Sequence, residues 1–241
     1  MYLDIIPRME CKALINQYYA ATTPNIISGN TAEDGNGGGV YMKGGVSGDL
    51  PLPSFSALYV DILDNDALNP SGNGKGNGGG VYVGENANLS LERCSVSQND
   101  AQYSGGGLYT DGGNIKGINQ VVIEQNSATD GAGIYMDNNF NVRLDSTNMF
   151  QNTASGKGGG IYINTNNPSK SSSYCLITST ANLNANNSAS SGGSVIYWEN
   201  GNVDEERNIG KPIGARKNAT DFLIITYSNG VMTDLTAPLH L

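Results

Sequence analysis

The amino-acid sequence predicts an all-β fold: a right-handed, single-stranded parallel β-helix, a solenoid of about six coils of 26–35 residues. Three observations carry this. A glycine-rich step into an aliphatic–tyrosine pair recurs six times. An Asn-x-Ala triplet precedes each copy. Between them, short apolar runs alternate with period two, the strand period.

The glycine step reads Gly38-Gly39-Val40-Tyr41, Gly79-Gly80-Val81-Tyr82, Gly106-Gly107-Leu108-Tyr109, Ala132-Gly133-Ile134-Tyr135 and Gly159-Gly160-Ile161-Tyr162. The sixth copy, Gly193-Ser194-Val195-Ile196-Tyr197, reads as carrying one extra residue. The triplets start at Asn30, Asn65, Asn99, Asn126, Asn152 and Asn187, with steps of 35, 34, 27, 26 and 35 residues. A hydrophobic residue stands three before the Asn in five copies: Ile27, Ile62, Val96, Ile123 and Met149. The sixth slips by one, since Asn184 holds that place. Gly, Asn, Ser and β-branched residues dominate, which disfavours helix and favours strands and turns.

Each unit is expected to hold three strands, of the Gly-Val-Tyr-Val type, the Asn88-Leu89-Ser90-Leu91 type, and one that ends at the Asn-x-Ala. Val81 and Val83 are expected to point inward and Tyr82 outward. Glycine is expected to supply positive φ and close backbone approach at a corner. An inward Asn at the turn is expected to bond the Asn of the next coil, and it tolerates left-handed backbone. Residues 43–54, 71–78 and 164–173 are expected as loops projecting from the coils, because extra length in a surface loop costs little.

The domains follow. Residues 1–26 are expected to form an N-terminal cap or continue a longer chain. Residues 27–198 hold the repeats. Residues 199–241 form a loop and a β-strand, as a cap or as a linker to a following domain or subunit. In that last segment, residues 221–227 read as a strong strand before a Ser-Asn-Gly turn.

The Gly-Gly-aliphatic-Tyr and hydrophobic-x-x-Asn motifs resemble the repeats of bacterial polymorphic outer membrane proteins, which alternate Gly-Gly-Ala-Ile and Phe-x-x-Asn. The resemblance spans residues 27–198. It implies a surface-exposed β-helix used in adhesion. Here Gly replaces Ala in most copies, and Ile, Val or Met replaces Phe.

Composition narrows the function. Only 15% of residues are charged, and the net charge is −9, which argues against nucleic acid and anionic membrane surfaces. No run of 18 apolar residues occurs, so no membrane-inserted helix is expected. Cys11, Cys94 and Cys175 show no CxxC spacing, and no metal or cofactor is expected. The single histidine, His240, lies next to the last residue, outside the repeats. A Ser-His-Asp triad inside the repeats is therefore excluded. Asp61, Asp64 and Asp66 are the nearest thing to an acidic cluster, and they read as turn residues.

The candidate binding residues are Tyr41, Tyr82, Tyr109, Tyr135, Tyr162 and Tyr197, expected to stack along one outer face. They read as an aromatic ladder or as a strip for sugar rings or a partner. Sequons at Asn88, Asn186 and Asn218 are glycosylation sites if the chain passes through a eukaryotic secretory pathway. The expected function is a non-catalytic, extracellular or cell-surface structural protein: a rigid spacer or filament component. A carbohydrate-binding adhesin is the alternative, and a polysaccharide-active enzyme is third. Self-assembly, neighbouring domains of a longer chain and glycans are the expected partners.

Overall fold

The structure is a computed structural model that describes residues 12–16, 23–44, 52–137, 140–164, 172–177, 182–199, 207–209, 223–228 and 231–236. Strands follow one another around a coil and pair in parallel with the same strand of the next coil. The architecture is a parallel β-helix, with the sheets open rather than closed into a barrel.

Each coil has four strands, not the expected three. One coil runs Asn88–Glu92, Ser95–Ser97, Asp100–Ser104 and Leu108–Asp111. These four belong to four sheets, named here the long, entry, alanine and tyrosine faces. The difference arises at the Asn. Gln98, just before Asn99, has φ 56°, and Asp64, Gln125 and Gln151 hold the equivalent conformation. The left-handed residue is thus the one preceding the ladder Asn. That corner splits the expected third strand into an entry strand and a short strand carrying the Ala.

Alternation fills the core. Ile27, Ile62, Val96, Ile123 and Met149 share one register on the entry face. Val40, Val81, Leu108, Ile134, Ile161 and Ile196 do so on the tyrosine face, and all six are buried. On the long face, Phe55, Leu89, Ile115 and Val142 are in register. The next inward pair, Leu91 and Ile118, stays aligned although one extra residue separates Ile115 from Ile118. A bulge at Lys116-Gly117 takes up that residue and keeps both isoleucines inside. A similar register shift between the pairs Asn148/Asn182 and Phe150/Ala185 absorbs the slip in the sixth triplet.

Inside the entry corner runs a column of amides. The Oδ1 of Asn99 accepts the backbone N–H of Asn65 at 3.1 Å and its Nδ2–H at 3.0 Å. Asn126 does the same for Asn99, Asn152 for Asn126, and Asn187 for Asn152. Each amide also donates backward to a carbonyl one coil earlier: Asn65 to Ile27, Asn99 to Ile62, Asn126 to Val96, Asn152 to Ile123 and Asn187 to Met149, all at 3.0 Å. Those carbonyls belong to the five hydrophobic residues that stand three before the Asn.

The glycine run serves two needs. Gly78 has φ +70°, and a Cβ there would lie 3.0 Å from the Cα of Tyr82. Gly80 has no such φ; its Cβ would lie 2.6 Å from the Gly107 carbonyl oxygen and 3.1 Å from the Asn99 amide of the next coil. The following coil therefore imposes the glycine. In the sixth coil Gly193-Ser194-Val195 aligns with Gly158-Gly159-Gly160, so there is no extra residue. Side chains occupy positions 194 and 195 in this coil, and the strand paired beyond it, Arg207–Ile209, is antiparallel and adds no further parallel coil among the described residues.

Other segments bear on the expected boundaries. Lys12–Asn16 pairs in parallel with Ser54–Leu58. Leu223–Ser228 pairs antiparallel with Ser172–Ile177 of the same chain and forms a hairpin with Val231–Thr236. Residues 71–78 do not project freely. The Asp34 carboxylate accepts the Ser71 N–H at 2.7 Å, and the Asn36 Oδ1 accepts the N–H groups of Gly76 and Asn77 at 3.0 Å. Of the other two insertions, residues 45–51 and 165–171 lie outside the described residues. Cys94 is buried with a free thiol; the side chains of Cys11 and Cys175 lie outside the described residues.

The amide column sets an expected cost. Asn126→Leu keeps bulk but leaves the Asn99 N–H and Nδ2–H and the Val96 carbonyl without their partner. Each buried orphan costs about 1–3 kcal/mol, so urea unfolding should show a loss of roughly 3 kcal/mol or more. Asn30→Leu, at the half-buried start of the column, should lose clearly less.

Candidate functional site

The candidate site is the tyrosine face. Its strands Val40–Met42, Val81–Val83, Leu108–Asp111, Ile134–Asp137, Ile161–Asn164 and Ile196–Glu199 carry an inward aliphatic followed by a tyrosine. Alternation sends the tyrosine to the other side of the sheet. Perfect register then sets Tyr41, Tyr82, Tyr109, Tyr135, Tyr162 and Tyr197 in one column.

The rings stack face to face. Successive centroids are 5.0, 5.2, 5.2, 4.6 and 5.0 Å apart. The first four pairs lie within 15° of parallel, and the Tyr162–Tyr197 pair is tilted by 31°. The spacing follows from the coil rise of about 4.8 Å.

The column lies outside the aliphatic core, as expected, but it is not an open surface. Tyr82, Tyr109, Tyr162 and Tyr197 are only 6%, 8%, 5% and 1% exposed, while Tyr41 and Tyr135 are half-buried. Two causes act together. Neighbouring rings cover each other's faces, and the glycine run of the same coil folds across the base of the ring. At Gly105 an added Cβ would lie 2.7 Å from the Tyr109 Cβ.

The hydroxyls meet a second column. The Tyr109 hydroxyl donates to Asp137 Oδ2 at 3.2 Å, and Tyr82 donates to Asp111 at 3.5 Å. Asn164 Nδ2 donates to Asp137 Oδ1 at 3.0 Å and to the Tyr135 hydroxyl at 3.4 Å. At the far end, the Lys157 ammonium donates to the Tyr197 hydroxyl at 2.7 Å and lies 4.5 Å from that ring centroid. Burial pushes the Tyr82 phenol well above its ordinary value, and the Asp111 charge adds to this. Tyr109 is raised still more strongly, by burial first and the Asp137 charge second. The partner column is carried in the sequence by Tyr109-Thr110-Asp111 and Tyr135-Met136-Asp137, a repeated Tyr-x-Asp that is the local signal for it.

Other sequence candidates fall apart in space. Asp61 sits on an entry strand, Asp64 at the left-handed corner and Asp66 on an alanine strand. Asp66 faces Asp100 of the next coil. Burial, then the Asp100 charge, raises the Asp66 carboxyl. The charged form is therefore disfavoured by folding, the reverse of a stabilising ion pair. Among the described residues no group of three or more His, Cys, Asp or Glu could hold a metal ion. No described helix is long and apolar enough to cross a membrane. Of the sequons, Asn88 is half-buried and its Oδ1 accepts from Asn114, whereas Asn186 is an exposed corner residue with φ 58°. Asn218 and His240 lie outside the described residues.

One unit of the solenoid resembles a known repeat. Residues 146–164 match the model of the Chlamydia polymorphic membrane protein (Chlamydia_PMP) repeat. The chain carries a polymorphic membrane protein-type repeat. This unit holds Met149 and the ladder residue Asn152 at one end and Gly159-Gly160-Ile161-Tyr162 at the other. The polymorphic membrane protein motifs thus coincide with the two features that join coils, the amide column and the glycine run. Neither a curated protein nor a solved structure matches the chain.

The raised phenols give the site a pH signature. Their stabilising contribution is complete below the ordinary tyrosine value of 10.0 and falls as pH rises past it. Phenolate absorbance should therefore show Tyr82 and Tyr109 ionising only as circular dichroism reports cooperative unfolding. The double change Tyr82→Phe and Tyr109→Phe should move that midpoint to higher pH. Smooth ionisation of both phenols near pH 10 with the fold intact would contradict their burial.

Proposed function

We propose that the chain is a non-catalytic, extracellular or cell-surface β-helix that serves as a rigid spacer. The observation that carries this is the continuity of three columns across all six coils: the core aliphatics, the amides and the stacked tyrosines. Each column joins a coil to its neighbours, so bending one coil against the next breaks several contacts at once. The result is a stiff rod of about 29 Å. The polymorphic membrane protein-type repeat supports the surface setting.

Carbohydrate binding through the tyrosines is the second reading. Sugar rings pack on aromatic faces, and here those faces are largely taken by neighbouring tyrosines. The half-buried Tyr41 and Tyr135 would be its contact points.

A glycan array separates the two. The spacer predicts no saturable binding by the purified chain. Saturable binding that Tyr135→Leu abolishes, with thermal stability unchanged, would overturn the spacer in favour of an adhesin. Turnover of an acidic polysaccharide would overturn both.

A further inference from the structure

We infer that Asn73 is a site of spontaneous covalent self-modification, cyclising to a succinimide and opening to aspartate or isoaspartate. Three Asn-Gly pairs meet in the loop cluster that joins the first two coils: Asn36-Gly37, Asn73-Gly74 and Asn77-Gly78. The reaction needs a free backbone nitrogen on the glycine and an accessible amide carbon on the Asn. Identical dipeptides in three different settings isolate the effect of structure.

Two of the pairs are tied down. The Gly37 N–H donates to the Asn77 carbonyl at 2.9 Å, and the Gly78 N–H donates to Ser104 at 2.9 Å. Both glycines are buried. The Asn36 Oδ1 accepts three hydrogen bonds, from Gly76 N, Asn77 N and Asn77 Nδ2. That last bond also immobilises the Asn77 amide. Cyclisation at either pair would require pulling the glycine out of the coil-to-coil ladder.

The third pair is poised. Asn73 and Gly74 are exposed, and nothing lies within 4 Å of the position a Gly74 Cβ would take. Gly74 N makes none of the hydrogen bonds that hold Gly37 and Gly78. The Lys75 N–H donates to Asn73 Oδ1 at 3.0 Å, which polarises the amide carbon for attack. The leaving nitrogen, Nδ2, is held only by a 3.3 Å bond to the Asp34 carbonyl.

The chemistry balances without an oxidant or a second protein. Gly74 N bonds to Asn73 Cγ, the Cγ–Nδ2 bond breaks, and ammonia leaves with the proton from Gly74 N. Water then opens the imide at either carbonyl. The product carries a new carboxylate close to Asp34 and lacks the amide donor that docks this loop on the first coil. Asp34 is held below the ordinary carboxylate range by its bonds to Ser71, with Lys75 assisting. The modification therefore sets a second negative charge against a carboxylate already committed to its ionised form.

The test is a time course of the intact, native chain at mildly alkaline pH, read by peptide mass spectrometry and by isoaspartate methyltransferase labelling. The urea-unfolded chain is the reference. In the unfolded chain the three pairs should convert at similar rates. In the native chain Asn73 should keep its rate while Asn36 and Asn77 slow by roughly tenfold or more, because each needs a local opening of the ladder. Asn73→Gln should remove the native signal from the peptide that spans residue 73, without changing thermal stability. An Asn73 amide that stays intact while the unfolded chain converts, or conversion of Asn36 or Asn77 as fast as Asn73 in the native chain, would overturn the assignment.

Discussion

The buried asparagine column is the constraint on which the other features depend. An amide inside an apolar solenoid is tolerable only if its donors and acceptor are all matched. Here the match is made between coils: Oδ1 accepts two hydrogens from the coil before, and Nδ2 reaches both the coil before and the coil after. That arrangement requires every coil to return to the same place at the entry corner, whatever its length. The insertions expected at residues 43–54 and 164–173 fall elsewhere in the sequence, and the steps of 35 and 26 residues converge on the same bond length of 2.9 Å.

Much of the glycine usage follows from the same demand. Gly80 must lack a side chain because the next coil places its backbone and the Asn99 amide there. With the glycine run fixed, the following strand is held in register, and register alone stacks the tyrosines. The tyrosine column is thus a consequence of the amide column as much as a feature in its own right. The hydroxyls of Tyr82 and Tyr109 then reach Asp111 and Asp137, because each of those residues stands two positions after the tyrosine of the next coil, on the same outer side.

Much of this was legible in the sequence. The triplets at Asn30 to Asn187 located one corner, and the glycine steps located another. The inward set from Val40 to Ile196 followed from period two. Four things were not legible. The four-strand coil was hidden because strands as short as Thr31–Ala32 and Thr153–Ala154 leave no alternation to detect. The burial of the tyrosines was missed because a side chain facing away from the core was equated with an exposed one, and ring-on-ring cover does not show in a single repeat. The alignment of Gly193-Ser194-Val195 was misread because the glycine requirement belongs to the next coil, which sequence spacing does not display. The neighbouring docking of residues 71–78 on Asp34 and Asn36 depends on side-chain bonds across some forty residues, beyond any local signal.

If the amide column locks the coils, the solenoid opens as a unit and not coil by coil. Native-state hydrogen exchange of the backbone amides of Asn65, Asn99, Asn126 and Asn152 measures this directly, because each of these N–H groups donates to the side chain of the next ladder Asn. The four should be among the slowest in the chain and should share one opening free energy, equal to that of global unfolding. Exchange of any of the four at the rate of the exposed loop residues 71–75, or four widely different opening free energies, would contradict the central role given to the column.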